Sequence, residues 1–252
     1  MAVAVGNTAS SLLSPTSFFH ATSCDIKQQV SSLVLPPNQN QLFVEANLDL
    51  NFVGLAFGVQ NYTCTQAGNF TSAGAVAELI DVSCLTGSSI FHSLPDQTYN
   101  LWTNKDFDST SVQDIISSFH MSNPPEILAQ HYFITNPTTG QGLSPVWDFR
   151  SSGKFSAGGG ASRTAFVVAK GKGSLPAPTD PKKDINWLQV ENIGGDAGGN
   201  VAQVVYRTDT RGGQPPDSCQ FGSSLDVSIK YVSFYCKHIL SHPLTTSVSH
   251  SL

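Results

Sequence analysis

Short β-forming runs, divided by joints rich in glycine, proline and serine, constrain this chain more than any other feature. The runs are 42–48, 52–59, 75–82, 129–135, 146–150, 164–170, 186–191, 201–207 and 227–235. A doubly wound α/β fold needs helices between most of its strands, and helical periodicity is missing there. The pattern predicts an all-β fold, either a sandwich or a barrel, of a jelly-roll-like kind. The 52–59 run is almost wholly apolar, as in a strand buried on both faces.

One helix interrupts the series. Four apolar residues recur at positions i, i+3, i+4 and i+7, namely Val112, Ile115, Ile116 and Phe119. Thr110 and Gln113 have the spacing of a capping box, and Pro124 follows the stripe as a stop signal. We predict one short helix whose apolar face packs on the sheet, with a partner-binding helix as the alternative.

The domain boundaries follow from where this patterning begins and ends. Residues 1–35 have little periodicity and are expected to form a poorly structured N-terminal arm. Residues 36–237 carry all the strand runs and are expected to fold as a single β-rich domain, a common size for such folds. The serine- and histidine-rich residues 238–252 are expected to form a flexible tail.

Charge narrows the range of partners. Charged residues make up 12% of the chain, and the formal net charge is −5. Binding to nucleic acid or to an anionic membrane surface needs clustered cations, and here Lys182 and Lys183 are the largest cluster. No apolar run approaches the roughly 20 residues of a membrane span. We therefore expect neither nucleic acid nor membrane as a partner.

The cysteines and glycosylation sequons favour the secretory pathway. Four of the five cysteines are disulfide candidates, namely Cys24, Cys64, Cys84 and Cys219, and their pairing and the role of Cys236 are left open. Asn61 and Asn69 begin N-x-Thr triplets and are glycosylation candidates. Residues 1–20 lack the charged and apolar regions of a signal peptide, so a cytoplasmic location is kept as the alternative.

The glycine-rich joints carry no cofactor-binding motif. Residues 194–199 lack the spacing of a dinucleotide fingerprint. Neither Gly153-Lys154 nor Gly171-Lys172 is preceded at the required distance by the glycine of a phosphate-binding loop. No metal-ligand motif stands out either. We expect no cofactor and no metal site.

Four segments place histidine, tryptophan, tyrosine, arginine or aspartate at or near predicted strand ends. They are Gln60–Cys64, His131–Phe133, Pro145–Phe149 and Tyr206–Gly213 with Cys219. Together they resemble a fungal and bacterial family of unknown function whose members are often labelled malate dehydrogenase. The resemblance extends over about residues 33–236, and it departs from the family at the closing strand, Tyr231–Cys236. It implies a secreted or biosynthetic β-domain and no known reaction. Without a pyrophosphate-binding motif, an NAD-dependent dehydrogenase is not expected.

Three residues of these strings are candidates for catalysis. His131 with Asp148 could form an acid–base pair, because a carboxylate commonly orients a catalytic imidazole. The alternative is a buried histidine bonded to backbone. Arg207 could hold a carboxylate or an enolate-like oxygen. The alternative is an ion pair with Asp209, which lies two residues along the same predicted strand face.

Six further residues are candidates for ligand binding. They are Gln60, Tyr62, Tyr132, Trp147, Tyr206 and Asp209. The aromatic residues among them, with Trp102 and Trp187, could stack on a sugar or a planar metabolite. Packing in the core is the alternative for each of them.

Two functions are consistent with these residues. The first is a pocket for a small organic metabolite, with cofactor-independent cyclisation, isomerisation or dehydration in fungal secondary metabolism as the associated chemistry. It predicts a deep pocket containing His131 or Arg207. The alternative is a secreted cell-wall carbohydrate-binding protein without catalysis, which would expose flat aromatic faces in a shallow groove. Whether the protein is an enzyme, and its oligomeric state, are left open.

Overall fold

A computed structural model describes residues 33–45, 48–104, 127–152 and 163–240, apart from the side chains of Cys84 and of residues 237–240. Eight antiparallel strands close into a barrel in which each strand pairs with its neighbours in the chain and β8 pairs with β1. The strands are β1 Leu48–Cys64, β2 Phe70–Asp81, β3 Ile127–Thr135, β4 Leu143–Asp148, β5 Phe166–Leu175, β6 Trp187–Asn192, β7 Val204–Gly212 and β8 Val227–Leu240.

The all-β prediction is confirmed, and of the two architectures it allowed, the barrel is present. Its strands follow an up-and-down order rather than the double Greek-key order of a jelly roll. β8 runs to Leu240, whose backbone pairs with Leu48 at the start of β1, so this strand extends into the segment expected to be a tail. No helix in the described part of the chain is long and apolar enough to span a membrane.

β1 is buried on both faces, as its unbroken apolar run indicates. Phe52 and Ala56 belong to the cluster inside the barrel. Val53, Leu55 and Phe57, which alternate with them, belong to a second cluster on the outer surface. Successive side chains of a strand point to opposite faces, so an apolar run with no polar interruption needs cover on both. The barrel supplies one cover and a helix supplies the other.

That helix is α1, Leu94–Thr103. Pro95 lies in its first turn, where a missing N–H costs little, and Asp96 beside it favours the positive end of the helix dipole. Trp102 packs edge-on against Phe57 and donates its indole N–H to the Gly58 carbonyl at 2.9 Å. A short packed helix is thus present, but at residues 94–103, where the sequence patterning predicted none. The helix predicted at Thr110–Phe119 lies outside the described residues.

A second minor helix, α2 at Gly195–Gly198, is a single turn in the connection between β6 and β7. It precedes the buried Val201 and Ala202, which belong to the interior cluster. Phe52, Leu79 and Phe149 also lie in that cluster and are fully buried. They occupy the barrel end at which β1 begins and β2 ends. We call it the packed end.

The predicted strand at Leu42–Leu48 is wrong over residues 42–45. Those residues are not in a strand; they cross the outer surface over β6 and β7. The side chain of Gln189 accepts from the Phe43 N–H at 2.9 Å and donates to Glu45 at 2.9 Å. Tyr206 donates to the Phe43 carbonyl at 2.6 Å. Side-chain bonds take the place of a strand ladder because β6 and β7 already pair with their own neighbours.

One disulfide, Cys64–Cys219, joins the end of β1 to the connection between β7 and β8. Cys219 also donates its backbone N–H to Gly68 at 2.9 Å, so the two loops are held together twice. Cys236 is a buried free thiol. Of the other disulfide candidates, Cys24 lies outside the described residues and Cys84 has no described side chain. A disulfide is compatible with secretion.

Candidate functional site

A cavity of about 180 Å³ lies inside the barrel, toward the end opposite the packed end. We call this the open end. The β1–β2 turn and the β3–β4 turn both lie there. An eight-stranded barrel has an interior wide enough to be filled by side chains or to hold one small ligand. Here large side chains fill the packed end, and the described residues leave a space at the open end.

Alternation along the strands decides which side chains line this cavity. In four strands the lining residues are two apart, as one face of a strand requires. The pairs are His131 and Phe133, Pro145 and Trp147, Leu188 and Val190, and Val205 and Arg207. Gly171 and Tyr235 complete the lining. The wall is therefore mostly apolar and aromatic, with one imidazole and one guanidinium.

His131 lies at the floor and is 2% exposed. β3 and β4 place it directly opposite Trp147, and the two rings are stacked with centroids 4.6 Å apart. Its Nδ1 lies 2.7 Å from the Val146 carbonyl oxygen. A carbonyl only accepts, so Nδ1 carries the proton of this hydrogen bond, and in the neutral form of the ring Nε2 is the acceptor. The floor thus has a ring of fixed tautomer and orientation.

Arg207 is 8% exposed and extends from the middle of β7 into the same cavity. Its Nε and Nη2 both donate to the Asn186 carbonyl, at 3.0 and 2.9 Å. Burial raises the pKa of Tyr62 to about 12, and the positive charge of Arg207 lowers it in part. Burial likewise raises the pKa of Tyr231, and the same charge again opposes it. The guanidinium therefore lies among neutral phenols.

The structure does not bring His131 and Asp148 together. Asp148 pairs in register with Gln130, one residue before His131, and thus lies on the outer face of the barrel. There it accepts from Arg150 Nε at 2.9 Å and from the Tyr132 hydroxyl at 2.9 Å. The hydrogen bond from Arg150 lowers the pKa of Asp148. The predicted acid–base pair is therefore wrong, and Tyr132 is also placed outside the cavity.

Asp209 does not pair with Arg207 either. A bulge interrupts the β7–β8 ladder between Thr208 and Arg211, and Asp209 has a left-handed backbone with φ of 49°. An irregular strand loses its alternation, so positions two apart no longer share a face. Burial raises the pKa of Asp209, and the Thr208 side chain partly offsets this by a hydrogen bond.

The remaining predicted ligand-binding residues divide between the two faces. Gln60 and Tyr62 are buried and lie on the inward face of β1, where Gln60 donates to the Gly74 carbonyl and Tyr62 to the Gly213 carbonyl. Both side chains brace the open end without lining the cavity. Tyr206 lies on the outer face, where it anchors residues 42–45. Of the predicted residues, His131, Trp147 and Arg207 meet in the cavity.

The tryptophans show how the aromatic residues are used. Trp147 lines the cavity and is 2% exposed. Trp102 extends from α1 and packs against Phe57 of β1, and Trp187 packs with Leu42 on the outer surface. Both are nearly fully buried, at 2% and 6% exposure. Core packing is thus the role of two of the three, and none of the three presents an exposed flat face.

Tyr235 and Gly171 are among the cavity-lining residues that sequence reasoning missed. Tyr235 lies on β8 with its ring 5.2 Å from both His131 and Trp147. Gly171 follows Val167 and Ala169 on the inward face of β5, and a Cβ built there would meet no atom within 4 Å. Strand alternation could have found them, because both residues are an even number of positions from other inward-facing residues on the same strand.

The two glycosylation candidates lie in different settings. Asn69 is exposed in the turn between β1 and β2. Asn61 is half-buried within β1, paired with Gly74 on one side and Ser228 on the other. Its amide oxygen also accepts from the Ser228 hydroxyl at 2.7 Å. Asn69 is the more accessible acceptor.

Comparison with protein families gives one match. The model of a family described as "Protein of unknown function (DUF3455)" matches residues 45–237. That range includes all the strands from β1 to the greater part of β8 and all the cavity-lining residues. Comparison with the curated proteins and with the solved structures gives no match.

Proposed function

We propose that this chain, which belongs to the DUF3455 family, binds a small organic molecule inside its barrel. The observation that carries the proposal is the cavity of about 180 Å³ at the open end, walled by Phe133, Trp147, Leu188 and other apolar groups. A cavity of about 150 Å³ lined by apolar side chains holds benzene. The space therefore suits a ligand with one ring, or a short chain of similar bulk.

The affinity expected of so small a ligand sets the conditions of the test. At an ordinary ligand efficiency of about 0.3 kcal/mol per non-hydrogen atom, a molecule of about nine such atoms binds only in the millimolar range. Probes such as toluene, phenol and benzoate are therefore used at up to about 10 mM, where a Kd a hundredfold lower gives about 2.7 kcal/mol of stabilisation. The readout is the unfolding temperature with and without each probe.

Gly171 offers a variant that fills the cavity. Gly171 lines the cavity but is itself exposed, a Cβ there would meet no atom within 4 Å, and its φ is not positive, so Gly171→Phe is expected to place a ring at the cavity without forcing the backbone. Gly171→Ala is the matched control, because it changes the backbone preference in the same way and leaves the space open. We expect probes to stabilise the parent protein and Gly171→Ala and not Gly171→Phe. Equal stabilisation of all three, or of none, overturns the proposal.

One observation favours chemistry on the bound molecule. His131 and Arg207 line the same cavity, and they supply a group able to move a proton and a cation able to stabilise an oxyanion. Cofactor-independent isomerisation, cyclisation and dehydration commonly begin with removal of a proton next to a carbonyl. Exchange of the C3 protons of 2-oxobutanoate in D₂O, followed by NMR, tests this step. If exchange is no faster with the parent protein than with His131→Gln, the proposal is limited to binding.

The second expected function, carbohydrate binding, has less support. It called for exposed aromatic faces, and the three tryptophans are buried.

Secretion is supported by the Cys64–Cys219 disulfide. We propose that the chain passes through the secretory pathway and that Asn69 is its glycan acceptor. Expression with a secretion signal in a eukaryotic host, followed by glycopeptide mapping, tests this. A glycan at Asn61 alone, or at neither site, argues against it.

A further inference from the structure

We infer that the ligand of the barrel cavity is a small organic monoanion, best a planar carboxylate, and that Arg207 binds its charged end. The inference rests on the proposed function and specifies its ligand class. It depends on how the guanidinium is buried and which of its donors the protein uses.

Arg207 is a buried cation that has no carboxylate partner among the described residues. It is 8% exposed, and none of the described acidic residues lies in an ion pair with it. Two other arginines contrast with it: Arg150 pairs with Asp148, and Arg211 pairs with Asp96. A charge taken out of water is normally paired, because its lost hydration is otherwise only partly replaced. We therefore expect the ligand to supply the negative charge that pairs with Arg207.

The hydrogen bonds of Arg207 leave one side of the guanidinium open. The Asn186 carbonyl takes one N–H from Nε and one from Nη2. In the described part of the chain nothing accepts from Nη1, so Nη1 and the second N–H of Nη2 remain as a fork. A guanidinium fork matches the two oxygens of a carboxylate and can bind both at once. The Asn186 carbonyl also fixes the orientation of that fork before a ligand arrives.

The rest of the wall determines the body of the ligand. Phe133, Pro145, Leu188 and Val190 are apolar, and Trp147 stacks with His131 at the floor. Arg207 is the one side chain with a permanent positive charge among those that line the cavity in the described structure. One cation suits one negative charge, so a dianion such as inorganic phosphate is a poor fit. An apolar body with one carboxylate, such as benzoate, meets both requirements.

The test compares probes of equal shape and different charge. Benzoate and benzamide differ in charge and scarcely in volume, and toluene has no polar end. Because hydrogen bonds to a charged group are stronger, we expect the parent protein to bind benzoate at least about tenfold more tightly than benzamide. Inorganic phosphate is expected not to bind at pH 8, where it is mostly a dianion. Titration calorimetry gives the dissociation constants.

Variants of Arg207 assign the preference to this residue. Arg207→Met keeps the length of the side chain and removes the charge, and we expect it to lose the preference for benzoate while still binding toluene. Arg207→Lys keeps the charge without the fork and is expected to retain only part of the preference. If benzamide binds the parent protein as tightly as benzoate, the inference is wrong even when the variants do not fold.

The two proposals fail in different ways. Binding of toluene and benzamide with no advantage for benzoate overturns the anionic ligand and leaves the binding cavity intact. If none of the three probes binds the parent protein, both proposals are overturned. Tight binding of benzoate that survives in Arg207→Met overturns the role of Arg207, and if it also survives in Gly171→Phe the anion binds elsewhere on the molecule.

Discussion

The imidazole of His131 lies flat against the indole of Trp147, with ring centroids 4.6 Å apart and ring planes 15° apart. The two residues face each other across β3 and β4, and both line the cavity. A bound molecule must therefore change the surroundings of Trp147. Trp102 and Trp187 lie in outer clusters, away from that space.

Trp147 is thus expected to report binding through its fluorescence. We predict that a probe such as benzoate changes the tryptophan emission of the parent protein and that the change disappears in Trp147→Phe. Trp102→Phe and Trp187→Phe are the controls and should keep it. A signal that survives in Trp147→Phe and disappears in either control would place the ligand on the outer surface.

Asp209→Asn is predicted to raise stability at neutral pH. Burial raises the pKa of Asp209, so the folded protein binds a proton more readily there than the unfolded chain. The ionised form consequently costs stability above the folded pKa, and the cost fades as pH falls toward the unfolded value of about 3.9. Urea unfolding at pH 7 and pH 4 should show a gain of up to about 1 kcal/mol that shrinks at the lower pH.

Asparagine is chosen because it tolerates the left-handed backbone of Asp209. Asp209→Ala removes the same charge and adds backbone strain of about 1–2 kcal/mol, so it should be less stable than Asp209→Asn at both pH values. A gain from Asp209→Asn that is equal at pH 7 and pH 4 would mean that the charge is not its cause.

Arg150→Met is predicted to lose stability only where Asp148 is ionised. Arg150 lowers the pKa of Asp148 by its hydrogen bonds, so their pairing stabilises the fold above the unfolded pKa and is lost as pH falls through the folded pKa. The Arg150 side chain is 49% exposed, so screening limits the effect to about 1 kcal/mol at pH 7. Urea unfolding between pH 7 and pH 2 measures it.

Lys170→Met provides the comparison for Arg150→Met. Lys170 is more exposed and pairs with Glu191, also on the surface, and its loss should have a smaller effect at pH 7. If Arg150→Met destabilises by the same amount at pH 2 as at pH 7, its contact with the Phe166 ring, and not the pair with Asp148, is responsible.

Loss of the Cys64–Cys219 bond is predicted to lower stability and spare the cavity. The bond joins residues 155 positions apart, and such long closures typically contribute about 2–5 kcal/mol by restricting the unfolded chain. Cys64→Ser, Cys219→Ser and the double variant should lose equal amounts in urea unfolding. Additive losses would show that the two cysteines act separately. Probe affinity should stay unchanged at temperatures where the variants are folded.

Part of the site is readable from the chain alone. His131, Trp147 and Arg207 were chosen because ring and charged residues at strand ends often line pockets, and all three line the cavity. Asp148, Tyr132 and Tyr206 were chosen by the same reasoning, yet each is the immediate neighbour in the chain of one of those three. Because neighbours in a strand face opposite ways, at most one member of each such pair can point inward. Whether a residue is an even or odd number of positions along its strand separates the residues that line the cavity from their neighbours on the outer face. Polarity and aromatic character alone do not separate them.

Other features depend on contacts between distant segments. Residues 42–45 have the composition of a strand, but their partners are the side chains of Gln189 and Tyr206. Asp209 follows Arg207 at strand spacing, but a bulge between Thr208 and Arg211 breaks the alternation. A bulge is a property of two paired strands, so a single strand does not reveal it.

The sequence by itself determined the all-β class, the place of most strands and the double burial of β1, because these follow from local apolar periodicity. Only the tertiary structure decided that the sheet closes between β1 and β8, so that side chains from β3, β4, β7 and β8 meet around one space. It also decided that Arg207 is buried there beside the Asn186 carbonyl, with no ion pair to a carboxylate in the described part of the chain. Closure joins residues far apart in the chain, and local patterning carries no information about which distant faces will meet.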